Sequence, residues 1–229
     1  MNKLSVTLTK TGLTLGIGYF LLQLLVIPQI LLWGNYLLGS PLNDAQVNFL
    51  FFAINFLVIT VVFRRFLWEN FKILLESPWH VLRFAFLDLL LYWIASFLIG
   101  FLIIGIAPDF VNANDQSVAA MRQENYLLIS VGTVLLVPVT EEMLFRGVIF
   151  GGLHRKWPVV AYVVSTVLFA AVHLLGYIKI YTPVQLLLAF LQYLPAGFCL
   201  AWSYVKSDCI WAPILIHIAV NQIGNYAAR

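Results

Sequence analysis

A chain of 229 residues that is 62% hydrophobic and only 10% charged lies far from the roughly 25% charged content of soluble globular proteins, so its main solvent is lipid. No polar stretch is long enough to fold as a soluble domain, and residues 1–229 read as a single transmembrane domain. The formal charge of +3 comes from cations in short connections, where they act as topology signals and imply no nucleic-acid partner.

A hydrocarbon core about 30 Å thick takes roughly 20 apolar residues per helix, because only an internally hydrogen-bonded backbone is tolerated there. Seven segments qualify: Leu13 to Trp33, Gln46 to Phe63, Val81 to Ala107, Tyr126 to Leu153, Pro158 to Leu175, Pro183 to Tyr204 and Asp208 to Asn225. The expected class is therefore an all-α polytopic membrane protein with about seven transmembrane helices around a polar intramembrane cavity. The first run is too long for a signal-peptide core and lacks a clear cleavage site, so it is expected to remain as a span. Between the second and third spans, FRRFLWENFKILLESPWHVLR mixes aromatics with charges. It reads first as a loop of belt aromatics and positive-inside charges, with an interfacial helix as the alternative.

If the spans alternate, Lys3, Lys10, Arg64, Arg65, Lys72, Arg83, Arg155, Lys156 and Lys206 share the side of the N-terminus, and Arg122, Lys179 and Arg229 lie opposite. That asymmetry predicts a multi-pass protein of the cell membrane with a cytoplasmic N-terminus. Cys199 and Cys209 belong to no CxxC or Cys/His spacing, so a disulfide framework is not expected.

A charge at the centre of a membrane helix costs about 2.5–3.5 kcal/mol on insertion scales, and the fourth span holds Glu141, Glu142 and Arg146. Glu142 and Arg146 are one turn apart, which suits an ion pair on one face. Glu141 projects about 100° away and is left free for chemistry. Pro138, just before them, removes a backbone donor, frees the carbonyl of Val134 and kinks the helix. Phe169 and His173 in the fifth span, and His217 and Asn221 in the seventh, are each four apart and share a helix side. Singly, each of these residues has a structural explanation: a helix-to-helix hydrogen bond for His173 or Asn221, an ion-pair partner for Arg146, packing or interfacial placement for Asp88 in the third span. Together they exceed what structural glue requires and read as a site. Two histidines and a glutamate suit either a zinc ion with an open position or a glutamate acting as general base on water, with His217 and Asn221 as donors to an oxyanion. No HExxH or GxSxG is present.

The strings EEMLFRG (Glu141 to Gly147), FAAVH (Phe169 to His173) and HIAVN (His217 to Asn221) resemble the EExxxR, FxxxH and HxxxN motifs of the type II CAAX prenyl endopeptidase and bacteriocin-processing family, also called CPBP or Abi. The resemblance covers about residues 125–225, the expected catalytic core; the first three spans carry none. It implies an intramembrane endopeptidase in which Glu141 and His173 activate water, His217 and Asn221 form the oxyanion hole, and Glu142 and Arg146 support the site. It also implies eight helices and access from the cytoplasm. No cofactor is favoured, since Asn221 is a poor zinc ligand and Arg146 lies close by; zinc held by Glu141, His173 and His217 stays open. The expected partners are membrane lipid and a membrane-associated peptide or protein substrate, with no nucleic acid. A catalytically silent bacteriocin-immunity or scaffold protein, and an ion- or proton-coupled transporter, are the competing readings.

Overall fold

The computed structural model describes residues 4–227, so Lys3 and Arg229 of the charge argument lie outside the described residues. All regular structure among them is helical: α1 (Lys10–Leu25), α2 (Ile27–Leu37), α3 (Asp44–Val62), α4 (Arg64–Glu76), α5 (Pro78–Ile106), α6 (Ala113–Glu124), α7 (Tyr126–His154), α8 (Pro158–Val172), α9 (Pro183–Ser207) and α10 (Trp211–Ala227). Five stretches among the described residues are long and apolar enough to cross a membrane: α1 with α2, α3, α5, α7 and α9. The seventh and fifth expected spans are shorter helices, α10 of 17 residues and α8 of 15. The chain is a multi-pass helical membrane protein.

Local chemistry sets the boundaries. The first expected span is interrupted at Val26, where Pro28 supplies no amide hydrogen to the preceding turn. Asn43 with Gln46, and Thr182 with Gln185, form capping boxes at the starts of α3 and α9. The basic stretch after α3, expected first as a loop, is the helix α4. Its charges and apolar residues fall on opposite faces, burying Phe66, Leu67 and Asn70, so the helical period decides where composition alone does not.

The helix α7 is the centre of the bundle: half of its most apolar 18-residue stretch is buried in protein, against 6% for α5, which faces lipid. It runs through two π-helical stretches, Gly132–Leu136 and Met143–Phe150. The Val137 amide reaches back five residues to Gly132, which moves the hydrogen-bonding register just before Pro138 and absorbs the missing donor there. Phe145, Phe150, Phe169 and Tyr204 pack the core beside it.

Hydrogen bonds outside the helices sort the connections into two ends. At one end, the Ser5 amide donates to Asp208 Oδ1 (2.7 Å), the Ile210 amide to Asn70 Oδ1 (2.9 Å), the Trp211 indole to Leu67 O (3.1 Å) and the His80 ring to Lys206 O (3.2 Å). At the other, Asn112 Nδ2 donates to Gln192 Oε1 (2.7 Å), the Ala113 amide to Tyr181 Oη (2.6 Å) and the Ala45 amide to Glu124 Oε2 (3.0 Å). The polar helix α6 is thus fastened at both of its ends across that side of the bundle.

Candidate active site

Glu142 and Arg146 have no exposed side-chain surface. The guanidinium Nε lies 3.1 Å from Glu142 Oε2 and Nη1 donates to Oε1 at 3.3 Å, so the ion pair expected from their spacing is formed. Nη2 donates to the carbonyls of Ala196 (3.0 Å) and Gly197 (3.3 Å) on α9. Gly197 makes that approach possible: a Cβ there would sit 2.9 Å from the backbone Cα of Thr166 on α8. The face of Phe169 lies 4.7 Å below the guanidinium carbon, adding a cation–π contact in a water-poor setting.

Glu142 also accepts from His217, whose Nδ1 is 2.8 Å from Oε1. The ring is thereby turned to present Nε2 to Glu141. His173, at the C-terminal cap of α8, has its Nδ1 2.8 Å from Phe169 O and stacks on Tyr193 with centroids 4.4 Å apart. Because a backbone carbonyl only accepts, the Nδ1 of His173 carries the hydrogen and its Nε2 is left as the acceptor. Glu141 Oε2 lies 3.9 Å from His173 Nε2 and 4.0 Å from His217 Nε2. It is sequestered from solvent and has no hydrogen-bond partner among the described residues. Asn221 donates through Nδ2 to Thr133 O at 2.7 Å, keeping its second amide hydrogen in reserve.

Glu141, His173, His217 and Asn221 all line one cavity of about 650 Å³, within the usual range for small-molecule and substrate sites. Glu142 and Arg146 lie behind its wall. Zinc donors at about 2.0–2.2 Å in a tetrahedron stand roughly 3.3–3.5 Å from one another; the Glu141 oxygen is 3.9 and 4.0 Å from the two ring nitrogens. Among the described residues no group of three or more His, Cys, Asp or Glu is arranged to hold a metal ion.

Other cavity residues carried no signal in the sequence. Tyr193, which fixes the His173 ring, reads as one aromatic among many in an apolar helix. Asp115 and Arg122 of α6 also line the cavity, although each reads as an ordinary charge in a connection. Asp115 is exposed at the rim, yet surrounding protein raises its pKa by desolvation while His173 pulls it down. Asp88 proves to be fully buried, its oxygens outside hydrogen-bonding geometry among the described residues, with the Ser203 hydroxyl nearby and Arg146 and Glu142 within electrostatic reach.

Residues 123–223 match the family model described as type II CAAX prenyl endopeptidase, Rce1-like. The chain is 35% identical over 95 residues to UPF0177 protein YxdF of Lactococcus lactis, a match covering 42% of this chain and 47% of that protein. It is 29% identical over 223 residues to YdiL of Bacillus subtilis, whose name marks it as a candidate membrane peptidase, covering 89% of this chain and 83% of that one. The aligned part thus spans about half the length of the first relative and most of the second. No solved structure matches the chain at a significant level.

Proposed function

We propose that this chain, whose residues 123–223 match the Rce1-like type II CAAX prenyl endopeptidase model, is an intramembrane endopeptidase. Its substrate is a membrane-associated peptide or protein, cleaved by water that Glu141 and His173 activate. The observation that carries this reading is the unpartnered Glu141 Oε2, 3.9 and 4.0 Å from two imidazole nitrogens. The carboxylate is part exposed on the cavity side, where a water can reach it.

Glu141, as general base, takes a proton from that water while its oxygen attacks the scissile carbonyl carbon. The lone pair of His173 Nε2 accepts the water's other hydrogen and aligns it. Negative charge then develops on the carbonyl oxygen, to which Asn221 offers its free amide hydrogen and His217 an Nε2–H. His217 already gives its Nδ1 hydrogen to Glu142, so donation from Nε2 requires a doubly protonated ring. The proton held by Glu141 passes to the departing amine, and the products are a carboxylate and an amine. Because the three candidate donors do not fit a zinc site, no step is assigned to a metal. Seven membrane passes, with α8 and α10 crossing as short helices beside the cavity, complete the reading.

Purified protein reconstituted in lipid and incubated with a library of amphiphilic peptides should release new termini detectable by mass spectrometry. Glu141→Gln should lower that rate by at least about 10²-fold, within the range for general-base catalysis, without changing the melting profile, and EDTA should leave the wild-type rate intact. Ion or proton flux in the same vesicles with no cleavage of any peptide would defeat the proposal.

A further inference from the structure

The cavity has a direction. Its floor, at mid-bundle, is made by Glu141, Leu200, Ile216 and His217, and its walls climb along α10 to Asn225. At the top it meets α6, which contributes Asp115, Val118, Ala119 and Arg122, positions i, i+3, i+4 and i+7 of one helical face. Among the described residues no lining group comes from α4, from the 155–157 connection or from 204–211, the opposite end of the bundle. Arg122 is the one Lys or Arg side chain in that lining among the described residues. Its Nε and Nη1 are shielded from solvent and have no hydrogen-bond partner among the described residues, so both N–H groups remain for a guest's carbonyl oxygens.

The two ends also differ in charge. Lys10, Arg64, Arg65, Lys72, Arg83, Arg155, Lys156 and Lys206 fall at the end held together by Ser5, Asn70, His80 and Asp208. The α6 end has Arg122 and Lys179, together with Asp44, Asp109, Asp115 and Glu124. Short connections rich in Lys and Arg stay cytoplasmic. Each contrast is independent of the other, and both place the cavity away from the basic end.

We propose that the cavity opens to the extracytoplasmic face beneath α6, and that its guests are segments of exported or membrane-inserted polypeptides lying at the outer leaflet. The identity of the guest rests on the peptidase reading above; the direction of access does not. A cytoplasmic chain end, the kind of substrate the family name suggests, would meet only the closed basic end.

Single cysteines test this in the full-length protein, in a background with Cys199 and Cys209, both buried, changed to serine. Val118→Cys marks the roof, Val220→Cys the wall and Ser77→Cys the basic end. A membrane-impermeant sulfonated maleimide is added to spheroplasts expressing each variant, and labelling is read by mass shift before and after permeabilisation. The expected result is labelling of V118C and V220C in intact spheroplasts, and of S77C only once they are permeabilised. The reverse pattern would invert the orientation and overturn the proposal, as would a V220C reached only from inside-out vesicles or from neither side. None of these readouts needs catalysis, so labelling from outside combined with no cleavage of any peptide by the wild-type protein would sink the peptidase reading and leave the access route standing.

Discussion

Arg146 and Glu142 sit in the bundle with no exposed surface, and removing either one alone leaves a buried charge without its ion-pair partner. Glu142→Gln should therefore cost about 3–5 kcal/mol of stability, the usual result of breaking a buried pair. The double variant Glu142→Gln, Arg146→Met should recover most of it, yet remain inactive because His217 has lost the carboxylate that orients it. Unfolding in mixed detergent, read by circular dichroism, separates the two outcomes; a stable Glu142→Gln single variant would contradict the reading. Asp88 presents the converse case. Its carboxylate is taken out of water with only the Arg146 field and the Ser203 hydroxyl to offset the cost, and burial is the larger effect. Asp88→Asn is expected to raise Tm by about 2–4 °C, the equivalent of roughly 1 kcal/mol in a chain of this size, as measured by thermal unfolding of the solubilised protein.

Elements determine whether those side chains meet. The pairs Glu142/Arg146 and Phe169/His173 were legible in the sequence because both partners stand one turn apart on a single helix. The grip of Arg146 on the Ala196 and Gly197 carbonyls was not, since it depends on how closely α9 approaches α8. Gly197→Leu should force the two helices apart and cost about 1–3 kcal/mol as overpacking, with a larger proportional loss of cleavage than of folded protein. Equal losses of cleavage and folded protein in a thermal-inactivation series would show that the approach serves packing alone. The π-helical stretches of α7 were similarly hidden. Pro138 announced a disturbance, but a wider helical turn and a simple kink have the same sequence signature, and the packing of α7 against α3 and α10 selects between them. In the second motif, four-residue spacing correctly put Phe169 and His173 on one side. In the third, His217 and Asn221 line the same cavity, one held by Glu142 and the other by Thr133.

For the fold as a whole, composition was enough to identify a helical membrane protein, and the two short helices α8 and α10 account for the difference between seven expected spans and five long ones. What composition could not reveal is the roof. The twelve residues of α6, seven of them polar, look like a connection, and only their fastening to Tyr181, Gln192 and Ala45 makes them a wall of the cavity. The dependence of His217 on Glu142, of Glu142 on Arg146, and of Arg146 on α9 has a consequence for biosynthesis. A nascent chain synthesised through α9 already holds Glu141 and His173, but it lacks His217 and Asn221 until its last helix is inserted. Under the proposed mechanism hydrolytic competence arrives with α10, so a chain stalled before it would leave the host membrane an inert fragment and not a half-assembled protease.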